Sequence, residues 1–319
     1  IAGTAWALSN QAHRQNSEKE KNFDYIFFDE AGQLSISKLI ASSMSSKNIV
    51  MIGDHMQLPQ PTTGNLDGES TYSPIEYLLK EKNTISDHNG IFLDRTFRMH
   101  QNICDFISKS FYENRLISDQ TTHNQQVILQ DGKSVENGIY LIDLDHNDYS
   151  VQNMEEAKYI KKIYDKLILG NWIDREKKVS EISAEDILVV SPFNAQVNLI
   201  KQSLGENAKV GTIDNFQGQE APIVIISYVS SNPNNIPRGS DFFFDYRRLN
   251  VSLSRAKCLA IIILNKELLD YHCNTIEDIE RENYFCKLKN HYQFILYLNL
   301  CDLLDYLKYE IVQNRFIIL

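Results

Sequence analysis

The sequence predicts an α/β protein in which parallel sheets are covered by helices. Short apolar runs rich in Ile, Val and Phe alternate with stretches of helical periodicity, which is the pattern of strands and crossover helices. The chain has 319 residues, of which 43% are hydrophobic, and this is enough for two globular cores. The predicted strands are residues 25–29, 48–52, 138–142, 186–190, 223–228 and 258–264.

Helical patterns lie between these strands. Ser73 and Pro74 supply an N-cap and a first-turn proline for a helix over residues 75–82. Further helices are predicted over residues 101–113, 154–169 and 195–204. After Leu264 the pattern is helical, and apolar residues recur at helix-like intervals at Ile295, Leu296, Leu300, Leu303, Leu304 and Leu307. We interpret this tail as an amphipathic packing element, with partner binding as the alternative.

Charge and cysteine content restrict the function classes. The net charge of −10 and the pI near 5.3 argue against a large basic surface that binds nucleic acid by counterion release alone. The acidic charge is compatible with a single groove that binds a nucleic-acid strand through N–H groups, hydroxyls and stacking. The five cysteines contain no C-x-x-C pair, which argues against a disulfide framework or a zinc site and favours a reducing cytoplasm.

Three of the cysteines could in principle bind an iron–sulfur cluster. Cys273, Cys286 and Cys301 are widely spaced, so we expect buried apolar thiols instead. No signal peptide or membrane-length apolar stretch occurs in the sequence.

Two carboxylates follow the first predicted strand. Asp29 and Glu30 emerge where a buried strand ends, on the usual ligand side of an open α/β sheet. One carboxylate at such a position can hold Mg²⁺ while its neighbour polarises an attacking water. Solvated acids at a strand end are the alternative. The second strand leads into a loop in which the amide of Gln57 could sense a phosphate oxygen.

Five segments in the chain look like ordered motifs: Asp29-Glu30-Ala31-Gly32-Gln33, Gly53-Asp54-x-x-Gln57-Leu58-Pro59, Thr96-Phe97-Arg98-Met99-His100, Gly211-Thr212-x-Asp214-x-Phe216-Gln217-Gly218-x-Glu220 and Arg248-Leu249-Asn250-Val251-x-x-Ser254-Arg255-Ala256-Lys257. Together they resemble motifs II to VI of superfamily 1B helicases, in order and in spacing. A single motif would carry little weight, whereas five in order make coincidence very improbable. The resemblance covers about residues 1–290.

A closer likeness is to the helicase half of bacterial proteins that fuse a RecB-like nuclease to this motor. It rests on Ala2-Gly3-Thr4-Ala5-Trp6, Gln57-Leu58-Pro59-Gln60-Pro61, Gly218-Gln219-Glu220-Ala221-Pro222 and Pro237-Arg238-Gly239. The resemblance implies two RecA-like P-loop NTPase domains and a helical tail. We expect a partial first domain over residues 1–90, truncated at its N-terminus, a second domain over residues 91–265 and the tail over residues 266–319.

The resemblance also implies roles in ATP hydrolysis. Asp29 would hold Mg²⁺, Glu30 would be the catalytic base and Gln57 would sense the γ-phosphate. Arg98 and Arg255 would be arginine fingers, since a guanidinium matches phosphate oxygens and stays charged at any working pH. Surface ion pairing is the alternative for both arginines.

Further positions are implied for the rest of the nucleotide and for the strand. Gly218 would let the backbone approach the nucleotide, Glu220 would bind the ribose hydroxyls, and Arg248 would also belong to the nucleotide site. Four residues fall where the family contacts the backbone of a single strand, with a turn or capping role as the alternative. They are Thr4, Pro192, Asn194 and Thr212.

Two departures from the family pattern stand out. Phe97 keeps the aromatic ring of motif IV without the hydroxyl of a tyrosine. His55 and Met56 replace the more usual residues in the middle of motif III, and we expect no chemistry from either.

The phosphate-binding loop G-x-x-x-x-G-K-[ST] does not occur in the sequence. Gly132-Lys133-Ser134 is a partial match, but Val127 stands where the first glycine should be, so we predict a surface turn there. Ile1 is not an initiator methionine, and we expect a fragment whose loop, and a nuclease, lie upstream. We therefore expect this chain alone to be inactive as an ATPase.

These features lead to one predicted function and two rivals. The predicted reaction is Mg²⁺-dependent ATP hydrolysis coupled to 5′-to-3′ translocation on single-stranded nucleic acid, with DNA favoured over RNA. An RNA helicase is the first rival. A non-catalytic truncated remnant is the second, because the phosphate loop is missing although the hydrolytic side chains downstream are present.

Overall fold

The computed structural model describes residues 2–9, 23–60, 68–80, 82–232, 238–270 and 275–298. The chain divides into two compact units, Ile1–Phe92 and Leu93–Leu319. The first unit contains two of the six predicted strands, and the second contains the other four.

The first unit is built on two parallel strands. β1 pairs with β2 in a register that runs from Phe23↔Ser46 to Phe28↔Met51. Helix α3 starts with a capping box, in which the Ser73 side chain accepts the Glu76 N–H and the Glu76 side chain accepts the Ser73 N–H. The elements of this unit are α1 (Ala5–Ser9), β1 (Phe23–Phe28), α2 (Ile36–Ser43), β2 (Ser46–Met51) and α3 (Pro74–Leu79).

The second unit has a central five-stranded parallel sheet. Its strand order is β11-β10-β12-β13-β7, and each neighbouring pair is parallel. All seven residues of β12 are buried, as expected where helices cover both faces of a parallel sheet. Full burial of each Ile or Val side chain stabilises the fold by ~1.5–3 kcal/mol. The strands are β7 (Gly138–Asp143), β10 (Ile187–Val190), β11 (Lys209–Gly211), β12 (Ala221–Ser227) and β13 (Ala256–Leu264).

The remaining strands of the second unit form two small sheets. β3 (Arg95–Thr96) pairs in parallel with β4 (Ile117–Ser118). A four-stranded antiparallel sheet has the order β6-β5-β8-β9. Its strands are β5 (Gln126–Ile128), β6 (Ser134–Val135), β8 (Asn171–Ile173) and β9 (Val179–Glu181). The helices of the unit are α4 (Gln101–Phe111), α5 (Met154–Leu167), α6 (Asn194–Leu204), α7 (Ser240–Phe243), α8 (Tyr246–Ser254) and α9 (Ile276–Leu298).

The segment Gly132-Lys133-Ser134 lies on the turn between β5 and β6, as predicted. The Gly132 N–H donates to the Leu129 carbonyl at 2.9 Å, and Gly132 has φ 83°. Lys133 is exposed and lies 3.8 Å from Asp131. No helix follows this turn, so it cannot form the strand-to-helix loop that binds phosphates.

A buried polar network fixes the chain where it leaves β12. The carboxyl group of Glu156 accepts hydrogen bonds from the Val229 N–H, 3.1 Å from both oxygens, and from the Ser227 hydroxyl. His146 Nε2 lies 3.1 Å from the same carboxyl group, and His146 Nδ1 lies 2.7 Å from Ser231 Oγ. Val229 has φ 71°, a strained value for a β-branched residue, and the network holds it there.

Two amides extend this network to the helices α5 and α6. The Asn153 side chain caps α5 by accepting the N–H groups of Glu155 and Glu156. Gln196 Nε2 donates to the Asn153 carbonyl at 3.1 Å and to Ser227 Oγ at 3.2 Å. The network therefore connects the start of α5 and the first turn of α6 to the carboxyl end of β12.

The predicted strands and helices are confirmed, with differences at their ends. Every predicted strand is present and differs by at most two residues at either end. Helix α3 ends at Leu79 because Lys80 has φ 56°, and α5 ends at Leu167 shortly before Leu169, which has φ 65°. The short strands of the antiparallel sheet were not predicted, nor were β3, β4, β11 and the helices α1, α2, α7 and α8.

The prediction of a buried thiol is wrong at Cys286, which is exposed. Phe285 and Leu288 on the same helix are buried, and a neighbour about 100° further round the helix points away from the core. Several other predictions fall outside the described residues: Cys273, Cys301, the likeness at Pro61 and Pro237, and the apolar pattern of the tail from Leu300 onward. The side chains of Ile295 and Leu296 are likewise not described.

Within the described ranges, none of the helices has the length and hydropathy of a membrane-spanning segment.

Candidate functional site

In the first unit, Asp29 and Glu30 lie where β1 ends. Asp29 Oδ1 accepts the Glu30 N–H at 3.0 Å, and both side chains are exposed. Glu30 has a left-handed backbone with φ 52° and ψ 42°, which turns the chain sharply after the strand. Gln33 Nε2 donates to Glu30 Oε2 at 3.4 Å. Two carboxylates of this kind, fixed by a strand end and accessible to solvent, can take part in metal and water chemistry.

Two glycines bring the loop after β1 against the loop after β2. A Cβ on Gly32 would lie 2.4 Å from the Asp54 carbonyl oxygen, and a Cβ on Gly53 would lie 2.6 Å from the Ala31 nitrogen. The Ala31 N–H also donates to the Ile52 carbonyl at 2.8 Å. Only glycine allows this approach, so both glycines help to hold the Asp29-Glu30 turn against the loop that carries Gln57.

Asp54 fixes Gln57 in that second loop. Gln57 Nε2 donates to Asp54 Oδ2 at 2.9 Å, and the Met56 N–H donates to Asp54 Oδ1 at 2.9 Å. Gln57 is half-buried. The amide is therefore held in a defined orientation by a residue to which the sequence assigned no role.

The donor set of the first unit fits a Mg²⁺ ion that is bound together with phosphates. Among the described residues, no group of three or more His, Cys, Asp or Glu is placed to hold a metal ion by protein ligands alone. Mg²⁺ in nucleotide sites commonly takes only one or two carboxylates and receives its other oxygens from phosphates and water. The exposed Asp29 suits that arrangement.

Thr4 occupies a capping position. Its Oγ1 accepts the Ala7 N–H at 3.3 Å at the start of α1, and the residue is exposed. This contact agrees with the alternative capping role, and the predicted strand contact remains a prediction.

In the second unit, Glu220 is the centre of a cationic cluster. Arg98 Nε lies 2.6 Å from Glu220 Oε2, and Lys257 Nζ lies 2.9 Å from Glu220 Oε1. Partial burial opposes ionisation of Glu220, but the hydrogen bonds and charges of Lys257 and Arg98 outweigh it and lower the pKa of this carboxyl group. The Lys257 ammonium also lies 5.5 Å from the centre of the Trp172 ring.

Arg255 and Gly218 border the same cluster. Arg255 is only 3% exposed, so it is not a surface ion-pair partner. Its Nη1 donates to the Gln219 carbonyl at 3.2 Å. Gly218 has φ 77°, and a Cβ there would meet no atom within 4 Å. The turn from Gly218 to Glu220 is therefore open on one side and held by Arg255 on the other.

Three of the four residues predicted to contact a strand lie together in one groove. Pro192, Asn194 and Thr212 line an open groove of about 590 Å³, together with Val151, Phe193, Ala195, Asp214, Asn215, Arg238 and Phe242. Thr212 Oγ1 donates to Asn215 Oδ1 at 2.6 Å, so its hydroxyl proton is engaged while its oxygen can still accept. Thr212 also caps the short 3-10 helix Ile213–Phe216, as the alternative reading had it.

Arg248 contacts the lining of this groove. Its Nη1 lies 3.0 Å from Asp214 Oδ2, its Nε lies 3.7 Å from Asp245 Oδ2, and its guanidinium carbon lies 4.6 Å from the centre of the Phe242 ring. The sequence did not predict these contacts, and the predicted nucleotide role of Arg248 stays a prediction.

The cluster and the groove lie at opposite edges of the five-stranded sheet. Glu220 and Arg255 immediately precede β12 and β13, whereas Pro192 and Thr212 follow β10 and β11. Since all these strands are parallel, the first pair marks the amino edge and the second pair the carboxyl edge. A strand the length of β12 spans roughly 20 Å at ~3.3 Å per residue, which separates the two sites by that order of distance.

Sequence reasoning missed four supporting residues, Asp54, Lys257, Asp214 and Phe242. Asp54, Lys257 and Asp214 stand inside the recognised motifs, so their position was a usable signal. Phe242 has no such signal, because its role depends on a fold that brings α7 beside the loop after β10.

Two family models match the chain, and both are described as an AAA domain. One matches residues 71–267 and the other matches residues 7–64.

Curated helicases are similar over most of the chain. Helicase sen1 of Schizosaccharomyces pombe is 28% identical over 277 residues, which cover 82% of this chain and 16% of that protein. An uncharacterized ATP-dependent helicase of Methanocaldococcus jannaschii is 29% identical over 77% of this chain and 36% of its own length. The DNA polymerase alpha-associated DNA helicase A of S. pombe is 30% identical over 75% of this chain and 36% of its own length. The chain thus spans between 16% and 36% of these relatives.

Proposed function

The chain belongs to the AAA domain family of superfamily 1 helicases, and we propose that it forms the hydrolysis side of an ATP-dependent motor that moves along single-stranded nucleic acid. One observation carries the proposal. Arg98 and Glu220, 122 residues apart in the sequence, lie in contact beside Arg255 and the open turn at Gly218. Side chains of motifs IV, V and VI therefore converge at one edge of one sheet.

In the first unit, the two exposed carboxylates and Gln57 have the proposed roles in ATP hydrolysis. Asp29 holds Mg²⁺ and Glu30 acts as general base toward the attacking water. Gln57, oriented by Asp54, senses the γ-phosphate. The support is the packing of the two loops through Gly32 and Gly53, which gives these side chains a common rigid base.

In the second unit, the proposed nucleotide residues are Arg98, Arg255, Gly218 and Glu220, which lie together at the amino edge of the sheet. The nucleotide role of Arg248 is proposed from the motif likeness alone, since its contacts lie with the groove at the carboxyl edge. ATP bound there would supply a polyanion, which the guanidinium groups of Arg98 and Arg255 suit. Glu220 supplies acceptors for ribose hydroxyls, and it also holds Arg98 in place until the nucleotide binds.

The groove at the carboxyl edge is the proposed strand site. Pro192, Asn194 and Thr212 line it. For Thr4, in the first unit, a strand contact is proposed from the motif likeness alone. DNA is the favoured strand, since one relative is named a DNA helicase. From the sequence motifs alone we also infer 5′-to-3′ movement and a likeness to nuclease-fused helicases.

Three further inferences belong to this proposal. The three described cysteines are free thiols, which supports a reducing cytoplasm. We retain the division into residues 1–90, 91–265 and 266–319. We also infer that the 319-residue chain by itself does not hydrolyse ATP, because no phosphate-binding loop occurs in its sequence.

Strand binding is tested on the 319-residue chain by fluorescence anisotropy with labelled single-stranded DNA and RNA of matched sequence at fixed salt. We expect tighter binding to DNA, and an equal loss for all sequences in the variant with both Asn194→Ala and Thr212→Val. Thr212→Ser, which keeps the hydroxyl, is the matched control. Unchanged affinity in the double variant would remove the groove from the proposal, and a preference for RNA would favour the RNA helicase.

A further inference from the structure

Arg238 lies over an aromatic ring inside the groove. Its guanidinium carbon is 3.8 Å from the centre of the Phe242 ring, and both residues line the groove. The Phe193 ring lies 6.1 Å from the Phe242 ring. An arginine, its supporting ring and a second ring therefore form one side of the site.

The guanidinium N–H groups of Arg238 can donate to a ligand in the groove. Within the described ranges, Arg238 makes no hydrogen bond or ion pair, and it is exposed. Arg248, the other arginine on Phe242, has its edges engaged by Asp214 and Asp245. The Phe242 ring therefore contacts two arginines. Arg248 pairs with carboxylates of the protein, whereas Arg238 can bind a ligand in the groove.

The charges of the groove lining favour an anionic occupant. The lining contains one acidic residue, Asp214, and Arg248 pairs with it at 3.0 Å. Among the described lining residues, Arg238 therefore carries the charge that has no oppositely charged partner. A guanidinium that is fixed by a ring on one face can stack a planar group on its other face, and nucleobases stack in this way on aromatic and arginine planes.

We propose that Arg238, positioned over the Phe242 ring, is a stacking site for a base of the bound single strand. The inference deepens the proposed function, since it rests on the groove being the strand site. It assigns the contact to a base rather than to a phosphate. A planar guanidinium is required for stacking, so lysine cannot replace it.

The test compares two ligands and three variants of the full 319-residue chain. The ligands are labelled oligothymidine and an oligomer of equal length and charge with abasic sugars. The variants are Arg238→Ala, Arg238→Lys and the control Arg247→Ala, whose arginine lies 5.1 Å from the Tyr246 ring and does not line the groove. Anisotropy at fixed salt gives each dissociation constant.

We expect Arg238→Ala and Arg238→Lys each to weaken oligothymidine binding roughly five- to 100-fold, the range for loss of one stacked base. The affinity for the abasic strand should fall by no more than the contribution of one charge that neutralises one phosphate. Arg247→Ala should bind both ligands as the parent does. An equal loss on both ligands, full recovery with lysine, or an equal loss in Arg247→Ala overturns the stacking assignment.

Failure of the proposed function has a different signature. If the parent chain binds neither ligand, or if the variant with both Asn194→Ala and Thr212→Val binds oligothymidine as well as the parent, the groove is not the strand site and both proposals fall. If the double variant loses binding but the parent binds abasic strands as tightly as oligothymidine, only the stacking inference falls.

Discussion

Arg98 donates through Nε to the carboxylate of Glu220 at 2.6 Å, and its Nη1 reaches the Ser254 carbonyl at 3.1 Å. The guanidinium is therefore fixed at two points by residues that follow it in sequence by 122 and 156 positions. Lys257 forms an ion pair with the other carboxylate oxygen of Glu220, so two cations contact one carboxylate. This geometry prepares Arg98 for a polyanionic ligand.

The first prediction rests on the proposed function and concerns Arg98 in the complete ATPase that the proposal implies. Arg98→Ala should lower the turnover number by roughly 10³-fold or more, as expected for an arginine finger. Arg98→Lys should not restore it, since an ammonium cannot bridge two acceptors with fixed geometry. Steady-state phosphate release measures both effects.

Arg95→Ala is the matched control for Arg98. Arg95 forms a surface pair with Asp119 at 3.2 Å, three residues before Arg98. We expect little change in turnover, and a loss below tenfold in Arg98→Ala would reduce Arg98 to a structural ion-pair partner.

The second prediction is a pH dependence of stability that arises at His100. His100 Nδ1 accepts the Asn102 N–H at the start of α4, and protonation would remove that acceptor. Burial, and then the charge of His123, lower the pKa of His100 from 6.5 to about 4. The folded pKa lies below the unfolded one, so this stabilisation is complete above about pH 6.5 and is lost as the pH falls toward 4.

Melting temperatures between pH 7 and pH 4.5 test this prediction. His100→Asn keeps a capping acceptor that does not titrate, so its melting temperature should depend less on pH than that of the parent. His88→Asn, at an exposed histidine, should leave the slope unchanged. Equal slopes in the parent and in His100→Asn would show that another group governs the acid loss.

Most of the fold could be predicted because its strands are continuous apolar runs. β12 and β13 read as buried strands in the sequence alone, and the Ser73-Pro74 signal marked the start of α3. The antiparallel sheet was missed because β5, β6, β8 and β9 have two or three residues each. Segments this short carry no measurable periodicity.

The candidate site was predictable where the motifs are local in sequence. The carboxylates at Asp29 and Glu30 fall at the end of β1, as their position after an apolar run required. The polar network at Glu156 was not predictable. Its members come from four separate segments, which contain His146, Glu156, Gln196 and Ser227, and a single Glu in an otherwise amphipathic helix looks like a surface residue until the fold buries it.

The third prediction is that Glu156 is a stability determinant of the second unit. Glu156→Ala removes the acceptor for the Val229 N–H, the Ser227 hydroxyl and His146, and leaves these groups buried without it. We expect the free energy of unfolding to fall by about 1–3 kcal/mol for each buried donor that is left without an acceptor. Urea denaturation measures the change.

The neighbouring Glu155 provides the control, because it is exposed in the same first turn of α5. Glu155→Ala should change the free energy of unfolding by less than about 1 kcal/mol. Similar values for the two variants would contradict the importance assigned to the network.

The fourth prediction is that Lys133 has no part in phosphate binding. Lys133→Ala in the complete ATPase should leave the affinity for ATP and the turnover number unchanged, because Lys133 is exposed on a hairpin turn beside Asp131. Nucleotide titration and phosphate release measure both quantities. A hundredfold loss in either would make Gly132-Lys133-Ser134 a phosphate site.

The fifth prediction is that hydrolysis depends on Glu30 acting as a base, and it tests the central claim. The measurement is phosphate release by the complete ATPase under saturating single-stranded DNA, together with binding of a fluorescent ATP analogue, for the parent and for Glu30→Gln. We expect turnover to fall by roughly 10²–10⁴-fold while the affinity for the analogue stays within about twofold, since the amide keeps the shape of the side chain but cannot accept the proton. Turnover that persists in Glu30→Gln, or ATP affinity that is lost with it, would contradict the account of this chain as the hydrolysis side of an ATP-driven motor.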